Sequence, residues 1–122
     1  DIVYKDGLYH LFYKTEGHGN GIRVATTRSL TSGQWTEEPG YKQLTTQAVE
    51  GAGTFKLIGQ DRYVLMYDVY MNGRYEFCES TDLSHFVPAS RPVTMNFHPR
   101  HGTVIPITQK EMNRLQRTWG NK

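Results

Sequence analysis

The feature that most constrains the fold of this chain is an internal repeat of about 50 residues. The motif Tyr-x-Leu-x-Tyr occurs at residues 9–13 and again at residues 63–67, 54 positions later. Each copy is followed by a glycine-containing turn, a strand-like segment that ends in Ser or Thr, and then a leucine and an aromatic residue. A repeat of this length with four strand-like segments is typical of β-propeller blades. The alternative is two unrelated meanders in one β-sandwich.

Both repeats contain short segments with the residue pattern of β-strands. In the first repeat, the segments 2–5 and 9–13 flank Asp6-Gly7, a strong hairpin signal, and they are followed by segments 22–27 and 35–37. In the second repeat, the corresponding segments are 54–58, 63–67, 75–80 and the stretch around Phe86, with a hairpin signal at Asn72-Gly73. The sequence therefore predicts two four-stranded antiparallel meanders, a blade over residues 1–40 and a blade over residues 50–90.

The remaining residues predict one strand and one helix. Residues 101–107 have a strand pattern and are expected to form the inner strand of a next blade over residues 100–108. Thr108 and Glu111 have the spacing of a capping box, which predicts a helix over residues 109–120. The apolar stripe of this helix is Met112, Leu115 and Trp119. The predicted fold is all-β: about two and a half blades of a partial β-propeller with a short C-terminal helix, in a single partial domain of residues 1–122.

The repeat length also shows how many blades a chain of this length can supply. A closed propeller has at least about four blades, and four such repeats need roughly 200 residues. The chain has 122 residues. We therefore expect either a fragment of a longer protein, or a homo-oligomer or blade-swapped dimer that forms through the open propeller edges.

Composition excludes several functional classes. Lys and Arg number 14 against 12 Asp and Glu, and a net charge of +2 gives no electrostatic basis for nucleic-acid binding. The chain lacks an apolar run long enough for membrane insertion, and its single cysteine, Cys78, excludes an internal disulfide. It also lacks the phosphate-loop and zinc-protease motifs, so no cofactor is expected to be required.

Glu50 is the most informative acidic residue. Its neighbours in the sequence are apolar residues and glycines, and it comes just before the predicted inner strand of the second blade. The inner strands of a propeller begin at the central channel, where ligands bind. A carboxyl group against apolar walls has a raised pKa, which suits a general acid. The alternative is a turn glutamate that accepts backbone hydrogen bonds.

Three further residues fall at the starts of inner strands. Asp1 occupies the place in the first blade that Glu50 occupies in the second, and Arg100 and His101 begin the third inner strand. Carboxyl groups that face one another across a channel are what glycoside hydrolysis needs, and an arginine there can bind a substrate hydroxyl. The alternatives are a frayed terminal residue for Asp1 and simple turn residues for Arg100 and His101.

These motifs together resemble glycoside hydrolase family 43. The resemblance rests on the blade pattern, on Val49-Glu50-Gly51 before an inner strand, on Gly59-x-x-x-Tyr63-x-Leu65, and on Arg100-His101-Gly102-Thr103. The family consists of five-bladed β-propeller enzymes that cut arabinose- and xylose-containing polysaccharides, and this chain resembles the C-terminal part of their domain.

The resemblance implies a role for each candidate residue. Glu50 matches the general acid of the inverting mechanism, and Asp1 matches the aspartate that orients the acid and modulates its pKa. His101 matches a histidine that helps to hold calcium or its waters in many members. Substrate binding by Arg100 and His101 is expected from their places at the start of the predicted inner strand. The general base has no counterpart in this chain, so the chain alone is expected to be inactive.

The resemblance also implies a substrate class and a cellular location, and two alternative functions stay open. The expected partner is a carbohydrate substrate of the xylan or arabinan type, and the expected location is periplasmic or extracellular. One alternative is a non-catalytic carbohydrate-binding propeller, in which Tyr41, Tyr70 and Trp119 stack on sugars. The other alternative is a half-propeller that completes itself by self-association.

Overall fold

A computed structural model describes residues 1–17 and 19–120 of the chain. They form two four-stranded antiparallel sheets, each with its strands in sequence order, and one C-terminal helix. The first sheet contains β1 (Ile2–Lys5), β2 (Leu8–Lys14), β3 (Ile22–Thr27) and β4 (Thr36–Glu37). The second sheet contains β5 (Glu50–Lys56), β6 (Tyr63–Val69), β7 (Arg74–Ser80) and β8 (Val87–Pro88), with a single 3₁₀ turn at Tyr70–Asn72. The all-β class and the two blade-like meanders of a partial propeller are confirmed.

The tight hairpin between β1 and β2 forms where the sequence predicted it. Asp6 and Gly7 both have positive φ angles, 49° and 82°. Two consecutive residues with positive φ give the turn whose twist matches that of the flanking strands, and Asp and Gly are among the residues that tolerate it. The register that follows pairs Tyr4 with Tyr9 and Ile2 with Leu11.

Each sheet buries one face against the other sheet. Alternate side chains of β2 and β3, including Phe12 and Val24, point toward the second sheet and are almost completely buried. They meet Leu65, Tyr67 and Cys78 from β6 and β7, which are 0 % exposed. The period of two along the strands therefore decides which residues form the core. Burial also raises the pKa of the Cys78 thiol to about 12, so this thiol is unreactive in the folded protein.

The helix forms with the predicted cap. It spans Gln109–Trp119, the Glu111 backbone N–H donates to the Thr108 hydroxyl, and the Thr108 backbone N–H donates to the Glu111 carboxylate at 2.7 Å. None of its residues is buried, so the stripe of Met112, Leu115 and Trp119 stays exposed. No helix within the described residues has both the length and the apolar character to cross a membrane.

Two details of the predicted strands are wrong. Residues 101–107 do not form the predicted inner strand, because no strand of the described chain pairs with them and a strand exists only through such pairing. The inner strand of the second sheet begins at Glu50 itself, four residues earlier than predicted, since Glu50 pairs with Asp68 across a β-bulge.

The repeat provides a matched pair of substitutions that tests this packing. Leu65→Ala should lower the free energy of unfolding by about 2–5 kcal/mol, because it removes a fully buried side chain between the sheets. Leu11→Ala, at the equivalent position on the open face of the first sheet, should cost roughly 1 kcal/mol or less, since a partly exposed leucine leaves no closed cavity. Urea unfolding in dilute solution measures both, and equal losses would contradict the packing described here.

Candidate active site

Glu50 lies on a distorted start of β5. The ladder between β5 and β6 is regular from Gly53 onward, and the irregularity lies between Glu50 and Gly53. Gly51 has a φ of 64°, and a Cβ atom there would lie 2.7 Å from Cδ2 of His101. A glycine is therefore required for both the backbone conformation and the close approach of the His101 ring. The bulge turns the Glu50 side chain toward residues 100 and 101.

Three basic side chains surround the Glu50 carboxylate. His101 Nε2 lies 3.0 Å from Oε1, Arg100 Nη2 lies 3.6 Å from the same oxygen, and Lys14 Nζ lies 3.6 Å from Oε2. Lys14 comes from the end of β2, so both sheets contribute to this cluster. The Glu50 side chain is 25 % exposed, which leaves one side of the carboxylate open to a ligand.

Asp68 is a second acid in the same place, and the sequence interpretation missed it. It lies on β6 directly opposite Glu50, is 1 % exposed, and accepts a hydrogen bond of 2.9 Å from Arg100 Nε. Arg100 thus contacts both carboxylates. A signal for Asp68 was present in the sequence, because it is the one charged residue in the otherwise apolar and aromatic run of β6.

The electrostatic prediction for Glu50 is wrong in direction. Its pKa lies below the usual glutamate value, mainly because the His101 ring donates a hydrogen bond to the carboxylate; the Lys14 charge adds to this, and desolvation opposes it. The flanking residues in the sequence are apolar, but the neighbours in space are His101, Lys14 and Arg100. Glu50 is therefore a carboxylate in this arrangement.

His101 is held in an unusual backbone conformation. Its φ is 59°, in the left-handed region, and its backbone N–H donates to the Tyr75 hydroxyl. Non-glycine residues in this region carry strain that the surrounding contacts must offset. The contacts with Tyr75 and Glu50 fix the imidazole beside the carboxylate.

Asp1 does not join the Glu50 cluster. Its carboxylate accepts hydrogen bonds from the backbone N–H groups of Ile2, at 3.0 Å, and Thr54, at 2.9 Å. Its amino group donates to the Phe12 carbonyl at 2.9 Å. Thr54 lies on β5, the strand that begins with Glu50, so Asp1 connects the inner strands of the two sheets. The structure brings together Glu50, Arg100 and His101. Asp1 contacts none of these side chains in the hydrogen bonds given above; it binds the backbone of β5 at Thr54, four residues after Glu50.

The acidic and imidazole groups of the cluster do not fit a calcium ion. One possible metal-ligand atom from each of Glu50, Asp68 and His101 lies within 4.8 Å of the other two. Among residues 1–17 and 19–120, this is the one cluster of three His, Cys, Asp or Glu side chains with that spacing. Calcium prefers six to eight oxygen ligands, whereas this set offers two carboxylates and a ring nitrogen. The Arg100 guanidinium also already lies against both carboxylates, so a cation between them would meet a positive charge.

The three aromatic residues expected to stack on sugars lie on separate elements. Tyr70 is in the 3₁₀ turn, where the Lys14 ammonium lies 5.1 Å from its ring centre, so it borders the Glu50 cluster. Tyr41 follows β4, with the Arg23 guanidinium 4.9 Å from its ring centre. Trp119 ends the helix. Of the three, Tyr70 is the one described here beside the candidate site, because Lys14 contacts both its ring and the Glu50 carboxylate.

Comparison with protein-family models identifies a family that covers most of the chain. A family model described as a probable glycosyl hydrolase domain matches residues 1–113. The matched range includes both sheets, Glu50, Asp68, Arg100 and His101. Comparisons with curated proteins and with solved structures found no match.

The environment of Glu50 predicts how its carboxyl group titrates. His101→Ala should raise the pKa of Glu50 toward the ordinary glutamate value, because the hydrogen bond that contributes most to the lowered pKa is lost. Lys14→Met should raise it by less, since the ammonium lies farther from the carboxylate. Carbon-detected NMR of the Glu50 carboxyl measures both shifts. His85→Ala is the control, because His85 pairs with Asp82 instead, and a Glu50 pKa that is the same in all variants would contradict the assignment.

Proposed function

This chain belongs to the family described as a probable glycosyl hydrolase domain, and on that premise we propose that it supplies part of the active site of a glycoside hydrolase. Glu50 is the proposed general acid, and Arg100 and His101 are the proposed substrate-binding residues. The observation that carries this proposal is the convergence of Arg100 and His101 on the partly open carboxylate of Glu50, at the start of an inner strand.

The reaction proposed is hydrolysis of a glycosidic bond with inversion. Glu50 protonates the leaving glycosidic oxygen while a second carboxylate removes a proton from the attacking water. The two carboxyl groups must lie roughly 6.5–9.5 Å apart to leave room for that water. Asp68 is not available as this base, because it is fully buried and paired with Arg100. We propose that the base comes from outside these 122 residues, so that the chain alone is inactive.

A general acid must be protonated, and the cations around Glu50 work against this. Two changes in a complete site would favour protonation. A bound sugar displaces water from the open side of the carboxylate, and desolvation raises the pKa of a carboxyl group. A general-base carboxylate within about 10 Å adds negative potential and raises it further. Asp1, which contacts β5 at Thr54, is the proposed orienting residue and would act through the position of that strand.

The proposed substrate is a plant-type polysaccharide or oligosaccharide with xylose or arabinose units. Arg100 can donate to sugar hydroxyls through its remaining N–H groups, because its side chain is largely exposed. Polymers of this kind do not cross a membrane, so we propose that the protein acts in the periplasm or outside the cell.

Carbohydrate binding without catalysis is the second candidate function. The observation in its favour is the lowered pKa of Glu50, because a carboxylate beside an arginine binds hydroxyl groups well and donates no proton. Tyr70 next to Lys14 would supply an aromatic face at the edge of the same site.

Glu50→Gln separates the two functions in a protein that contains this chain together with the general base. If Glu50 is the general acid, kcat on xylan- or arabinan-derived oligosaccharides should fall by roughly 10²–10⁴-fold while the affinity for them is retained. Glu16→Gln is the matched control, since Glu16 also pairs with Lys14 but lies in the open. Unchanged turnover in Glu50→Gln would contradict the catalytic role, and no turnover by the unmodified protein would favour the binding function.

The isolated chain gives a second, independent test. It should release no detectable aryl group from aryl arabinosides or aryl xylosides, because the proposed base is missing. Turnover by the isolated chain at a rate like that of the complete protein would show that no outside base is needed.

A further inference from the structure

Asp68 is a buried acid to which the proposed mechanism gives no part. It lies on β6, between β5 and β7 in the second sheet, and is 1 % exposed. Burial of a carboxylate is costly unless a cation or hydrogen-bond donors replace the lost water. Arg100 supplies such a cation, because its Nε donates to Asp68 Oδ2 at 2.9 Å. The ion pair therefore has one end fixed inside the sheet and one end, the Arg100 side chain, that is 67 % exposed.

A row of three residues across the second sheet holds the segment that contains Arg100. The strand registers place Glu50 and Tyr75 opposite Asp68, one on each side. Residues directly opposite one another on neighbouring strands share a face of the sheet. The Tyr75 hydroxyl accepts the backbone N–H of His101, and Glu50 contacts the His101 ring. Asp68 completes the row by binding the side chain of Arg100.

The two acids contact the same edge of the Arg100 guanidinium. The closest contacts join Asp68 to Nε at 2.9 Å and Glu50 to Nη2 at 3.6 Å. Nε and Nη2 share one edge of this planar group, and Nη1 and Nη2 share another. The second edge carries two parallel N–H donors, which suit two neighbouring acceptor oxygens. Hydroxyl groups on adjacent carbons of a sugar ring are such a pair.

We propose that Asp68 is a positioning residue that acts through Arg100 and presents this second edge to two adjacent hydroxyl groups of a carbohydrate. The proposal rests on the proposed function, since it concerns a sugar bound beside Glu50. An arginine already held by a buried acid loses less rotational freedom when it binds a ligand, so the affinity rises. A lysine cannot take this role, because its ammonium group lacks the planar pair of parallel donors.

Nitrogen-15 NMR of the Arg100 Nε–H group in the full chain tests the hold by Asp68 without any sugar. Asp68→Asn replaces the carboxylate by a neutral amide of nearly the same size. Exchange of the Nε proton with water should then become at least about tenfold faster, because a charge-assisted hydrogen bond is lost. Glu79→Gln is the matched control, since Glu79 pairs with Arg62 at 3.1 Å. An unchanged exchange rate in Asp68→Asn would overturn the positioning role.

A double-mutant cycle tests whether Asp68 affects sugar binding through Arg100. The affinities for xylotetraose and arabinotetraose are measured by NMR titration of the full chain. Arg100→Gln should weaken binding roughly tenfold, and Asp68→Asn roughly threefold. The double variant should bind no more weakly than Arg100→Gln, because Asp68 then has no arginine to position. Losses that add in the double variant would show that Asp68 acts by another route and would overturn the proposal.

Arg100→Lys tests the requirement for two parallel donors. It keeps the positive charge and removes the planar edge, so it should bind the oligosaccharides as weakly as Arg100→Gln, within about twofold. An affinity equal to that of the unmodified chain would show that a charge at this position is enough, and it would overturn the recognition of paired hydroxyl groups.

The buried Cys78 thiol reports whether each variant is folded. Protection from a thiol reagent equal to that of the unmodified chain shows that a variant retains the packed sheets. If Asp68→Asn loses this protection, Asp68→Ala replaces it, because it removes the carboxylate and leaves no amide to satisfy. A chain that binds neither oligosaccharide would overturn the proposed function and the sugar part of this inference, and the exchange measurement would still decide whether Asp68 holds Arg100.

Discussion

The contact between the two sheets is the interaction on which the rest of this structure depends. It buries Phe12, Leu65 and Tyr67, and it brings the end of β2 close to the start of β5. Lys14 can therefore reach the Glu50 carboxylate, and the Asp1 carboxylate can accept the Thr54 backbone N–H. The contacts of Glu50 with Arg100 and His101 lie within the second sheet and the segment that follows it, so they do not depend on the first sheet. The contact with Lys14 does, and it would be lost if the sheets separated.

The sequence predicted most of the fold because the fold is local. Strands with a period of two, a turn at Asp6-Gly7 and a cap at Thr108 are set by residues close together in the chain, and all of them formed. The strand predicted over residues 101–107 did not form, because pairing needs a neighbouring strand and the pattern of a segment does not supply one. The repeat also could not show which face of each sheet is covered, since that depends on the order of the sheets.

The candidate site was predicted only in part, for a similar reason. Glu50, Arg100 and His101 were identified from their places at strand starts, and they do meet. The pKa of Glu50 was predicted in the wrong direction, because neighbours in the sequence were taken for neighbours in space. Asp68 was missed although an acid within an apolar strand is unusual. Glu50 is a carboxylate whose pKa is lowered by His101 and Lys14, with Arg100 also beside it. Its use as a general acid requires a ligand and a further carboxylate that raise this pKa.

The central claim is that carbohydrate binds at the Glu50 cluster. Amide NMR of the chain titrated with xylo- and arabino-oligosaccharides tests it most directly. Binding needs no turnover, and the backbone amide signals of all strands and loops are observed in the same spectrum. The account predicts that the largest shifts fall at residues 49–53 and 100–102, with smaller shifts at Asp68 and Tyr70. Shifts confined to the surroundings of Tyr41 or Trp119, with none at residues 49–53, would contradict it.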